Sequence, residues 1–96
     1  KIGTFKDVVS PNCYIIDDEI AGGGTVLSAM KALREGGAKD VFILATHAVF
    51  SGNAPQLLQK SAAKKIIVTD SIPVGSEKRF KKLEVISLAS IISKEL

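Results

Sequence analysis

The sequence predicts an α/β fold: a mainly parallel, four-stranded sheet in three layers, with helices on its faces. Three observations carry this expectation. Short apolar runs alternate with segments of helical period, the runs end in polar residues, and glycine, asparagine or proline stands at the junctions. In chain order, Cys13 to Ile16 is an apolar run ending in Asp17 and Asp18, as a buried parallel strand would. Gly22, Gly23 and Gly24 form a loop. Thr25 then opens a helix whose Val26, Leu27, Met30 and Leu33 share one face, so Met30 is expected in the core. Gly36 and Gly37 stop it. Val41 to Ala45 is the second strand. Asn53 caps a helix with Pro55 in its first turn, carrying Leu57 and Leu58 and ending near Ala62. Ile66 to Thr69 is the third strand. Ile72 to Lys82 is a polar loop, Leu83 to Leu88 the fourth strand, and Ser90 caps a final helix through Ile91 and Ile92.

Alternation of this kind specifies right-handed crossovers, and ligands of such sheets bind outside the carboxyl ends of the strands. The residues expected there are Asp17 and Asp18, Thr46 and His47, and Thr69 and Asp70. They are polar and grouped, as a site would be.

Composition sets the outer bounds. The chain has 96 residues, 46% hydrophobic and 24% charged, which suits one globular domain over residues 1–96. A domain this size buries about two-thirds of the surface its unfolded chain exposes. No apolar run approaches the roughly 20 residues of a membrane span, and Lys1 to Asp7 lacks the apolar stretch of a signal peptide. The chain opens on Lys1 and not on Met, as expected of a fragment or of a trimmed chain. A net charge of +3 is a weak bias towards anions. Lys64 and Lys65, and the group Lys78, Arg79, Lys81 and Lys82, are available to phosphates or form a solvated surface. Five aromatics, none interleaved with basic residues, argue against nucleic acid. The single cysteine, Cys13, excludes an internal disulfide and fits a reducing cytoplasm.

The chemistry concentrates in Asp17-Asp18-Glu19-Ile20-Ala21-Gly22-Gly23-Gly24-Thr25. Glycines let the backbone approach a ligand closely. A helix starting at Thr25 aims free N–H groups and a positive dipole end at the loop, which suits a phosphate dianion. Thr25 adds a hydroxyl. The paired carboxylates accept hydrogen bonds from sugar hydroxyls, or hold Mg²⁺ bridging to a diphosphate. Together these describe a phosphorylated ribose lying along the loop. A dinucleotide fingerprint needs its acid about 20 residues after the glycines, and a P-loop needs Gly-Lys-Ser/Thr. Neither pattern is present.

The segment Ile15 to Thr25 resembles the phosphoribosyl-diphosphate-binding motif of type I phosphoribosyltransferase folds. Gly36-Gly37-Ala38-Lys39-Asp40-Val41, Ala45-Thr46-His47-Ala48-Val49-Phe50-Ser51-Gly52-Asn53-Ala54 and Val68-Thr69-Asp70-Ser71-Ile72-Pro73 follow in order. Together they resemble the C-terminal half of the ribose-phosphate diphosphokinase (phosphoribosyl-diphosphate synthetase) family, over essentially the whole chain. That family transfers a diphosphate from ATP to ribose 5-phosphate with Mg²⁺. The resemblance implies that Asp17 and Asp18 face the ribose hydroxyls and that Gly22, Gly23, Gly24 and Thr25 cradle the 5-phosphate. Asp17 and Asp18 are also the candidate metal ligands, as paired carboxylates.

Two positions depart from the family. Ala21 stands where many members have aspartate, and Gly22 where threonine is usual; both thin the contacts. The family's ATP-handling half and basic catalytic loop are not in this stretch, and no residue here is assigned as catalytic. The expected function is binding of ribose 5-phosphate or phosphoribosyl diphosphate, with ATP used only if the missing half is supplied. The competing expectation is a non-catalytic sugar-phosphate-binding or regulatory module of the same fold. A base-transferring phosphoribosyltransferase is a weaker third, for want of a base-binding hood. With the other half absent, exposed apolar surface predicts a homo-oligomer. His47 reads as structural, Ser51, Gly52 and Asn53 as a turn and cap, and Asp70 and Ser71 as turn residues near the crevice.

Overall fold

The computed structural model describes residues 2–6 and 12–90. The elements run β1 (Ile2–Lys6), β2 (Cys13–Ile20), α1 (Gly24–Glu35), β3 (Val41–Ala48), α2 (Ala54–Lys60), β4 (Lys65–Thr69), a 3₁₀ turn (Ser76–Lys78) and β5 (Leu83–Ile86). They form one five-stranded sheet in the order β1-β2-β3-β4-β5. The four expected strands, β2 to β5, are parallel, and the α/β class holds. β1 is an addition. It pairs antiparallel with β2, with Ile2 opposite Asp17 and Lys6 opposite Cys13. Its five residues mix Gly3 and Thr4 with apolar neighbours, a pattern too short for periodicity to mark.

Strand order determines the layering. Each parallel strand is added beside its predecessor on the same side, so right-handed crossovers deliver successive helices to one face. Burial agrees. Ile15, Ile43, Ile66 and Val68 are fully enclosed with Val26 of α1 and Leu58 of α2. The alternate strand positions Leu44 and Ile67 are half-buried and Ile16 is exposed. On that second face Tyr14 and Phe42, paired in register, stack at 5.4 Å. Among the described residues α1 and α2 therefore share one face of the sheet. Ile91 and Ile92, expected in the last helix, lie outside the described residues.

Local sequence accounts for most boundaries. α1 ends in a Schellman motif: Gly37 adopts φ 100°, Ala38 N–H donates to Leu33 O (3.0 Å) and Gly37 N–H to Arg34 O (3.1 Å). Both β2 and β3 outrun their apolar cores, to Ile20 and Ala48, because backbone pairing continues through Asp17–Ala45 and Glu19–His47. The polar residues thought to follow these strands lie within them. β5 stops at Ile86, two residues early, because Ser87 starts a new turn: its Oγ accepts the Ser90 N–H at 3.2 Å. Ser87, and not Ser90, is therefore the cap. α2 ends at Lys60, where the Ser61 hydroxyl donates back to Leu58 O (2.6 Å).

The basic group of the 72–82 connection fastens the chain. Lys78 Nζ donates to Val49 O (3.2 Å), Arg79 Nε to Val74 O (3.2 Å) and Lys82 Nζ to Ser61 O (2.7 Å). Lys65 pairs with Glu84 at 2.7 Å across β4 and β5. Three of the four cations in the expected phosphate cluster are thus holding backbone carbonyls.

Candidate functional site

The glycine loop connects β2 to α1. Gly23 is the helix N-cap, with φ 88° and ψ −10°. A side chain there would be strained by left-handed backbone, and its Cβ would sit 3.9 Å from both Ala54 and Leu27. Gly22 and Gly24 have no positive φ, so their small size serves access. Thr25 is the second helical residue, one position past the helix start expected for it. The first backbone bond of α1 is Leu27 N–H to Gly23 O, 3.0 Å. The N–H groups of Gly24, Thr25 and Val26 precede it and have no intrahelical acceptor. The first turn holds no acidic residue. These donors border a concavity of about 280 Å³ lined by Glu19 through Val26.

A second cavity, about 220 Å³, opens on the uncovered face at the carboxyl ends of the strands. Its walls are Ile16, Leu44, Ile67 and Ile86, and its polar rim is Asp17, Thr46 and Thr69. The acidic run is divided between the two cavities. Asp17 lines the sheet-face cavity, Glu19 lines the loop concavity, and Asp18 lines neither. Glu19 was not among the expected site residues. Its signal was its spacing, two residues from Asp17 on a strand and three before the glycines. The Asp18 N–H donates to Asp17 Oδ1 at 2.7 Å, which orients that carboxylate.

The remaining expected residues form a hydroxyl network beside the rim. Thr69 Oγ1 donates to Thr46 O (2.7 Å), and Ser71 Oγ donates to the same carbonyl (2.9 Å). His47 Nδ1 lies 2.7 Å from Ser71 Oγ. Asp70 belongs to the turn: its Oδ1 accepts the Leu88 N–H at 2.9 Å. Asn53 precedes α2 as expected, but its side chain makes no capping bond.

Among the described residues no group of three or more His, Cys, Asp or Glu is arranged to hold a metal ion. Asp17 and Asp18 nevertheless supply hard oxygen donors of the kind Mg²⁺ takes. One or two such carboxylates suffice when substrate phosphates and water complete the shell. The donor set fits an ion shared with a ligand and not one caged by protein.

The family model described as the phosphoribosyl synthetase-associated domain matches residues 2–96. The chain belongs to that family. Ribose-phosphate pyrophosphokinase of Mycobacterium bovis is 44% identical over 87 residues, covering 91% of this chain and 27% of the relative. The protein of the same description from Haemophilus influenzae is 44% identical over 91 residues, covering 94% and 29%. The crystal structure of phosphoribosylpyrophosphate synthetase from Mycobacterium smegmatis superposes with a TM-score of 0.80 at 45% identity, covering 88% of this chain and 28% of that one. The chain thus spans under a third of the length of the curated relatives it matches.

Proposed function

We propose that residues 1–96 form a single ribose-5-phosphate-binding domain of a ribose-phosphate diphosphokinase, corresponding to the C-terminal half of the family's two-half enzyme. The assignment to that half rests on the order of the glycine-loop, His47 and Asp70 motifs. The observation that carries the functional reading is the left-handed Gly23 at the N-cap of α1, which turns free N–H groups onto a concavity beside a run of carboxylates. In this reading Gly22, Gly23, Gly24 and Thr25 hold the 5-phosphate, and Asp17 and Asp18 accept hydrogen bonds from ribose hydroxyls. When bound, Mg²⁺ at Asp17 and Asp18 supplies charge neutralisation for the diphosphate. The chain's own residues position the sugar, the larger part of catalysis in phosphoryl-type transfer. ATP turnover requires the remaining part of the longer enzyme.

The test is calorimetric titration of the 96-residue protein with ribose 5-phosphate and with phosphoribosyl diphosphate, each with and without Mg²⁺. Saturable binding and a raised melting temperature are expected, since a ligand of the native state stabilises it. Absence of both at millimolar ligand would sink the reading.

A second reading is a non-catalytic binding or regulatory module. Ala21 favours it, because it contributes no carboxylate at the exposed loop entrance. AMP formation from ATP and ribose 5-phosphate by the isolated chain would exclude it. Two corollaries follow from either reading. The half-exposed face around Ile16, 41% exposed, is the surface on which we expect self-association. A monodisperse monomer in sedimentation at about 100 μM would contradict that, because patches of this kind mark association. The buried thiol of Cys13 accords with a cytoplasmic setting, and no helix among the described residues is long and apolar enough to cross a membrane.

A further inference from the structure

The turn from β3 into α2 is stitched to the glycine loop. Val49 and Phe50 N–H groups both donate to Ile20 O, at 3.0 and 2.9 Å, and Ser51 N–H donates to Ala21 O at 2.9 Å. Phe50 holds φ 48°, the only positive φ outside glycine among the described residues, and its buried ring meets Phe80 edge-on at 5.8 Å. Ser51 is therefore anchored on both sides of its backbone. Its hydroxyl is the one heavy atom within 4 Å of the position a Cβ would take on Gly22, at 4.0 Å. Among the described residues that hydroxyl has no hydrogen-bond partner.

A phosphate seated on the first-turn N–H groups of α1 turns its other oxygens away from the helix. Gly22 has no side chain to meet them. Ser51 brings a hydroxyl to the space that a residue-22 side chain would enter. We propose that Ser51 Oγ donates a hydrogen bond to the phosphate of a sugar phosphomonoester, taking the part of the side chain that Gly22 lacks. The proposal rests on the ribose 5-phosphate reading and deepens it: phosphate affinity in this chain depends on a second loop, from β3.

The experiment is a double-mutant cycle over Gly22→Thr and Ser51→Ala, read by calorimetric affinity for ribose 5-phosphate, with unphosphorylated ribose as control and melting temperature as a fold check. Ser51→Ala is expected to weaken ribose 5-phosphate by about tenfold, the scale of one hydrogen bond to a charged group. Ser51→Thr, which keeps the hydroxyl, should stay within about twofold of the wild type, well inside that loss. In the Gly22→Thr background Ser51→Ala should lose little, because the threonine hydroxyl replaces it; groups serving one ligand atom are non-additive. Wild-type affinity in Ser51→Ala overturns the assignment and leaves the ribose 5-phosphate reading intact. So do equal losses for Ser51→Ala in both backgrounds. A wild-type chain that does not bind ribose 5-phosphate overturns both. If Ser51→Ala melts before titration, Ser51→Thr and the double variant decide: weak binding by either, in a folded protein, refutes the hydroxyl.

Discussion

The turn from β2 into α1 and the turn from β3 into α2 leave the same edge of the sheet, and both use left-handed backbone. In the first it is Gly23 at φ 88°; in the second it is Phe50 at 48° and Gly52 at 58°. The first has no large side chain from Ala21 to Gly24, and it feeds a 12-residue helix whose opening donors face a concavity. The second carries a fully buried aromatic ring and feeds a 7-residue helix packed through Ala54, Pro55 and Leu58. Left-handed backbone therefore does two jobs at one edge. At Gly23 it opens a concavity beside the first turn of α1. At Phe50 it drives a ring into the core, and the strain of a non-glycine residue there is offset by burial.

The contrast breaks first at Phe50. Phe50→Ala is expected to cost about 3–5 kcal/mol, the range for a buried aromatic truncated to a cavity, a large share of the roughly 5–15 kcal/mol that holds such domains. Urea denaturation measures it, and a loss below about 1 kcal/mol would mean that the ring is not an anchor. Gly23→Ala comes next. It should destabilise by about 1–2 kcal/mol through left-handed strain, and ribose 5-phosphate affinity should fall with it. An unchanged denaturation midpoint would show the loop relaxing away from φ 88°. Gly24→Val separates binding from folding. A Cβ at Gly24 meets nothing within 4 Å, so stability should move by less than about 0.5 kcal/mol while affinity drops at least about tenfold. Retained affinity would place the phosphate elsewhere. The smallest effect belongs to Asn53→Ala. A capping asparagine is usually worth about 1 kcal/mol, yet this side chain caps nothing, so a change under about 0.5 kcal/mol is expected. A full-sized loss would reveal a cap bond in solution.

Legibility followed the physics of each element. α1 was readable from its apolar spacing and its terminal glycines, because burial and left-handed backbone leave marks on residue type. The buried parts of β2, β3 and β4 were readable for the same reason. Their extensions were not, since main-chain pairing past Asp17 asks nothing of the side chains. β1 was missed because its five residues, Ile2 to Lys6, carry neither a continuous apolar run nor strict alternation in sequence. The glycine loop was legible as the link from β2 into α1, but the division of the acidic run was not: Glu19 joins the concavity while Asp18 lines neither cavity. The roles of Lys78, Arg79 and Lys82 were also hidden, because a cation reaching for a carbonyl looks in sequence like a cation reaching for a phosphate.

The unbroken strand order has a temporal consequence. Every strand from β2 onward pairs with the one synthesised just before it, so no strand waits for a later segment to reach the sheet. Domains made this way are suited to vectorial assembly as the chain emerges during synthesis. A nascent chain arrested far enough past Ala48 for β3 to have left the ribosomal exit tunnel should already hold β1 against β2 and β2 against β3, and limited proteolysis of stalled ribosome complexes would find it protected there.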